Sequence, residues 1–133
     1  MSSEESPTLF AIRLTERAQR NIDAATVRFA ETVSPEVAIE WRDGLYQVLA
    51  SLAIFPRRYP TPPETFGREV RQLVYRRSGS AAAYRIFFAI TGENPGTADA
   101  PTVTVLHLRH AASKTLTRGE IRDMEFLVPP ETL

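Results

Sequence analysis

The sequence predicts an α+β fold: one strand, a helical hairpin, and a three-stranded antiparallel meander, in a single domain of a 133-residue chain. Three observations predict it. Apolar residues between 15 and 52 recur at three- and four-residue steps, the period of a helix face. Two helix-start signals, Thr15 and Ser34-Pro35-Glu36, divide that half in two. After residue 67 the apolar residues fall into three short blocks separated by turn residues, the mark of strands.

Leu9 to Leu14 reads as the first strand, with Phe10, Ile12 and Leu14 alternating onto one face. Thr15 can then accept a backbone N–H of the next turn and cap helix one, which runs to Thr32 with Ala18, Ile22, Ala25 and Phe29 as its stripe. Ser34 caps helix two, Pro35 fits its first turn, and Glu36 complements the positive helix end. Its stripe is Val37, Ala38, Trp41, Leu45, Val48, Leu49 and Leu52, and Pro56 is expected to end it. The short break between the helices implies an antiparallel hairpin. Arg57 to Thr65, with Pro60, Pro62 and Pro63, is an extended connector.

Strand two is expected over 68–77, strand three over 83–91 and strand four over 102–110. Ser78-Gly79-Ser80 turns strand two into strand three. The next connector, 91–101, contains Asn94-Pro95-Gly96 and is long for a hairpin loop. Thr117 and Glu120 have capping-box spacing, which opens a short helix through Met124. Residues 1–7 read as a flexible lead, 8–126 as the domain and 127–133 as a tail.

Composition bounds the function. Hydrophobic content of 43% with 24% charged residues is that of a globular domain, and no apolar run is long enough to span a membrane. The chain lacks cysteine, which removes a disulfide framework and a thiolate metal site. Two histidines with no carboxylate at ligand spacing give no zinc site, and no glycine loop or nucleophile elbow calls for a cofactor. The acidic, polar start is unlike a secretory leader, and a cytoplasmic location is the expectation.

Net charge is zero but uneven: −3 over residues 1–54, +6 over 55–122 and −3 over 123–133. Of 16 basic residues only Lys114 is lysine. Arginine binds carboxylate and phosphate through a rigid two-pronged fork. Each of the three later strands carries arginine within apolar sequence, which is costly unless that face meets an anionic or polar partner.

Strand parity refines this expectation. In strand three Tyr84, Ile86, Phe88 and Ile90 share one face, the natural core face under the helices, while Arg85, Phe87 and Ala89 point away. In strand four strict alternation groups Val103, Val105, His107 and Arg109 against Thr104, Leu106, Leu108 and His110. The face of Arg85 and Phe87, half apolar and half cationic, then suits a groove that a partner covers. Arg71, Arg76, Phe87, His107 and Arg109 are the candidate contact residues. The competing expectation for Arg85 is a cross-hairpin pair with Glu69.

In element order the chain resembles the RelE/ParE superfamily of bacterial toxins from type II toxin–antitoxin systems. The likeness rests on Leu14-Thr15-Glu16-Arg17-Ala18, on Ala38 to Leu52 around Trp41, and on Pro56. It continues through Gly67-Arg68-Glu69-Val70-Arg71, Tyr84-Arg85-Ile86-Phe87-Phe88 and Val105-Leu106-His107-Leu108-Arg109-His110, and covers residues 9–112. The closing histidine-containing strand is more similar to the ParE branch. The resemblance implies a toxin neutralised by a cognate antitoxin in a hetero-oligomer, acting without a cofactor. ParE-like members poison DNA gyrase and are not hydrolases. RelE-like members enter the ribosome and cut mRNA. In that alternative Arg85 would stabilise the phosphate and His110 would serve as acid or base. The C-terminal tyrosine and the lysine-rich loop of RelE-like enzymes have no counterpart here; Lys114-Thr115-Leu116-Thr117 occupies the first region. A third implication is an inactive relative that serves only as a binding scaffold.

Overall fold

The computed structural model describes residues 8–80, 82–94 and 100–131. The lead over 1–7 and the centre of the 91–101 connector, Pro95-Gly96 included, lie outside the described residues. The elements are β1 (Ala11–Leu14), α1 (Glu16–Thr32), α2 (Pro35–Ala50), β2 (Val70–Arg76), β3 (Ala83–Thr91), β4 (Thr102–His110) and α3 (Arg118–Leu127). Both expected caps form: the Thr15 hydroxyl accepts from Ala18 N at 3.0 Å and Ser34 from Val37 N at 3.1 Å.

Helix two stops before Pro56. After Ala50 comes a 3-10 turn over Ser51–Ala53, then extended Ile54, and Phe55 in the left-handed region at φ 50°. Proline bars the right-handed helical conformation to the residue before it. The Arg58 guanidinium then donates to the carbonyl oxygens of Ile54, Phe55 and Ser51 just past the helix end.

The sheet order is β1-β4-β3-β2. β2, β3 and β4 form the antiparallel meander, and β1 joins the far edge of β4 in parallel. The helical hairpin covers one face. Ile22, Phe29, Trp41, Leu45 and Leu52 there meet Leu73, Tyr84, Ile86, Phe88, Val103 and Val105 in the main core. Trp41 is fully buried, 5.2 Å from both Phe29 and Tyr84 by ring centroids, and Tyr75 Oη donates to its carbonyl at 3.0 Å. Gly44 leaves the room that this hydroxyl needs.

Two expectations about the sheet are corrected. The first concerns β4. Its register against β3 shifts between Phe87 and Phe88: Phe87 faces His107, but Phe88 faces Val105, so Leu106 is the extra residue of a bulge. Beyond it the alternation flips. His107 and Arg109 join Leu106 on the outer face, while Leu108 and His110 turn to the helices. The cause lies at the edge. β1 pairs only with Thr102–Val105. Past its end Thr15 takes over, with its N–H on Val105 O at 3.1 Å and its hydroxyl on Leu106 O at 3.1 Å, and Asn21 Oδ1 accepts from Leu108 N at 3.1 Å.

The second correction concerns the outer face. It is not an open groove, because the chain covers it with its own C-terminal segment. Phe87, Ala89, Leu106 and Val70 form a second core with Leu116, Met124 and Val128. The capping box predicted at Thr117 forms in full, and α3 extends to Leu127, beyond the expected end at Met124. Val128, in the segment read as a tail, is buried, and Arg68 holds the carbonyls of Val128 and Pro129 at 3.3 and 3.2 Å. Glu125 accepts from Gly67 N, and Glu131 from Gly92 N at 3.2 Å. An apolar face of this size is energetically poor in water, and folding α3 over it is the local solution.

Candidate interaction surface

The bulge gathers Arg85, Phe87, His107 and Arg109 on one side of the sheet, yet none of them is offered to a partner. Arg85 lies directly opposite Arg109 in the β3–β4 ladder, a like-charge pairing that needs compensation. Two carboxylates supply it. Glu64 receives two bonds from Arg85, at 2.6 and 3.1 Å, and Gln72 accepts from its Nε at 2.8 Å. The side chains of this ion pair are only 13% and 5% exposed. Glu64 thus replaces Glu69 as the partner, and the Arg85 guanidinium holds its carboxyl below the usual carboxylate range. Arg109 bonds Glu120 at 3.2 Å and the Lys114 carbonyl at 2.9 Å. Phe87 is fully buried beneath the Arg85 guanidinium, 4.7 Å from its ring centre.

His107 stands beside Phe87 with ring centroids 6.2 Å apart, and its Nδ1 is buried with no hydrogen-bond partner. Burial first, then the positive charges of Arg17 and Arg109, push its pKa down to about 4. His110 lies on the other face. It packs edge-on against Tyr84 at 5.2 Å, and its Nδ1 accepts from Ala112 N at 3.0 Å. Arg85 and His110, the pair that RNA cleavage would need, are therefore separated by the sheet.

Arg71 is also internally engaged. It bonds Glu69 at 2.8 Å and the Tyr59 carbonyl at 2.8 Å, and Glu69 also accepts from Arg57 at 2.9 Å. Arg57 adds Glu93 at 2.6 Å, and both carboxylates hold its pKa above the ordinary arginine value. Glu64 and Glu120, the acids that close these pairs, were not singled out as ion-pair partners from sequence. Five acidic residues among eleven basic ones over 55–122 were the one available signal.

Of the expected contact residues, Arg76 remains exposed and makes no ion pair among the described residues. It lies on β2, the edge strand. Gln72 N donates outward to Pro60 O at 2.9 Å, so the backbone N–H groups of Val74 and Arg76, two and four residues on, face the same open side. Val74 itself is 56% exposed, a large apolar side chain on an unpaired edge that sequence reading missed.

Comparison with known proteins agrees with this architecture. The family model described as ParE toxin of type II toxin–antitoxin system, parDE, matches residues 12–114. A chain of the chromosomal ParDE toxin–antitoxin system from P. aeruginosa superposes with a TM-score of 0.58 at 16% identity, over 76% of this chain and 95% of that one. No curated protein matches the sequence. The family match runs from within β1 to just past the end of β4, and on it the chain belongs to the ParE toxin family of type II toxin–antitoxin systems.

Proposed function

We propose that this chain arrests growth by acting on DNA gyrase in the cytoplasm and is held inactive by a cognate antitoxin. The family match over residues 12–114 carries the reading. Two features of the site support it. Arg85 is committed to Glu64 and Gln72, and His110 sits on the opposite face, so no acid–base pair flanks a phosphate position. The β2 edge, with Val74 and Arg76, offers backbone donors, an apolar contact and a cation to an acidic, extended antitoxin segment.

Induced expression from a tight promoter tests the toxin reading, and growth that continues unchanged favours the scaffold role. Purified protein added to a gyrase supercoiling assay separates the targets. Loss of supercoiling supports gyrase; intact supercoiling with cleaved transcripts on primer extension returns the RelE-like ribonuclease. For the partner, hydrogen exchange in the complex should slow in β2, and protection confined to residues 1–32 contradicts the edge docking.

A further inference from the structure

On the helical side of the sheet, between the last turns of α1 and the β3–β4 ladder, lies a hollow of about 260 Å³ lined by Arg28, Phe29, Thr32, Ala82, Tyr84 and His110. We propose that it receives a carboxylate from a bound polypeptide, an acidic side chain or a chain terminus. The proposal does not depend on the toxin reading.

The β4 bulge builds the hollow. Strict alternation would send His110 to the outer face with Leu106, but the extra residue turns it to the helices. There it lies directly opposite Tyr84 in the ladder and packs edge-on against its ring at 5.2 Å. Tyr84 in turn packs on Phe29 of α1 at 6.2 Å, and Arg28 precedes Phe29 in that helix. One helix and two strands thus bring a guanidinium, a phenol and an imidazole to one space walled by Phe29, Tyr84 and Ala82. No carboxylate lines it, and Ala81, the neighbouring residue outside the described ones, carries no charge.

All three groups are donors. Arg28 is exposed and makes no ion pair among the described residues. Arg76 on the β2 edge shares that lack; what sets Arg28 apart is the phenol and the imidazole beside it. Burial pushes the Tyr84 pKa up, against the opposing pull of the Arg28 guanidinium, so the phenol keeps its proton to donate. Tyr84 as a whole is only 4% exposed, yet its hydroxyl is not among the side-chain atoms sealed without a hydrogen bond. His110 Nδ1 accepts from Ala112 N at 3.0 Å, which leaves Nε2 to carry the proton of the neutral ring. Phe29 O, an acceptor that would repel an anion at the end of α1, is occupied by Val33 N and Ser34 N at 2.9 and 3.0 Å. Charge complementarity names the occupant: one guanidinium and two neutral donors within apolar walls match a carboxylate on a hydrocarbon stem. The volume falls below the roughly 300–1,000 Å³ of small-molecule pockets and suits a single side chain.

The test is a two-dimensional NMR titration of the folded chain with sodium propionate, the side chain of glutamate without its backbone. Sodium chloride at equal pH and ionic strength and neutral propionamide are the controls. The site predicts saturable shifts of the Thr32 and Ala82 amides and of His110 Nε2 with propionate alone. Arg28→Gln should weaken the binding at least about tenfold, and Tyr84→Phe, which keeps the ring, severalfold. Thermal unfolding checks that both variants fold, and the wild-type comparison decides by itself if either does not. Shifts no different from chloride, a response to propionamide as strong as to propionate, or binding that neither substitution weakens would overturn the proposal.

Discussion

Replacing Arg85 with methionine separates a structural arginine from a functional one. The side chain anchors three bonds, two of them to a Glu64 side chain that is 5% exposed. Methionine keeps the aliphatic stem over Phe87 but leaves a buried carboxylate without its counter-ion. Breaking such a pair from one side costs about 3–5 kcal/mol. In a domain of this size that lowers Tm by roughly 10–20 °C. The loss carries a pH signature. In the native protein the Glu64 pKa is below its ordinary value, so the pair contributes above the unfolded carboxyl pKa and fades as pH falls through the folded one. Without Arg85, burial pushes Glu64 upward instead, so the variant is penalised most near neutral pH and recovers relative to wild type toward pH 4–5. Adding Glu64→Gln removes the orphaned charge, keeps an acceptor for Leu116 N, and should restore all but about 1–2 kcal/mol. Thermal unfolding followed by circular dichroism at pH 5 and 7 reads all of this. An Arg85→Met variant within about 2 °C of wild type at pH 7 would refute the argument.

His107, with its pKa lowered to about 4 against 6.5 unfolded, favours the native state fully above pH 6.5. That contribution, about 3 kcal/mol, is lost as pH falls from 6.5 to about 4. His107→Leu should flatten this part of the stability–pH curve, and a curve parallel to wild type contradicts it. Glu120→Ala removes the bonds to Thr117 N at 2.8 Å and Arg109 at 3.2 Å. It should cost about 1–2 kcal/mol and speed amide exchange in α3 about 5- to 30-fold, whereas unchanged exchange would mean that apolar packing alone holds the helix. Val74→Pro removes an outward-facing N–H and no ladder bond, so Tm should change little while antitoxin affinity, measured by calorimetry, falls at least about tenfold. Unaltered affinity would move the antitoxin off this edge.

What was legible in the sequence is what local chemistry controls. Thr15 and Ser34 announce their helices because a cap needs only its own next turn. β3 and β4 begin and end where turn residues and apolar blocks place them. The Leu106 bulge was not legible. It depends on β1 ending after four residues and on Thr15 and Asn21 intercepting groups 91 and 87 positions away. One extra residue reverses the alternation after it, which is why His107 and Arg109 part from Val103 and Val105, with which strict alternation grouped them. The cover over Phe87 was hidden for a related reason. α3 was visible as a capping box, but it brings only Met124 as a buried residue, so its apolar stripe was too thin to show where it docks.

These two hidden features change the meaning of the basic half. A net charge of +6 over residues 55–122 suggested a cationic strand surface. In the fold, Arg57, Arg71, Arg85 and Arg109 are neutralised by Glu93, Glu69, Glu64 and Glu120, and Arg58 and Arg68 hold backbone carbonyls. The cations left exposed and without an ion pair among the described residues of that stretch include Arg76 on the β2 edge, Lys114 before α3, and Arg118 and Arg122 on α3. Charge paired inside a fold is screened at close range by its own counter-ion and contributes little to the field a partner meets. An acidic partner of the proposed kind would therefore meet these exposed cations rather than the middle of the sheet. Charge reversal at Arg76 should slow association with the antitoxin and steepen neither the loss of stability nor the pH profile, whereas reversal at Arg85 should unfold the chain before it alters any encounter.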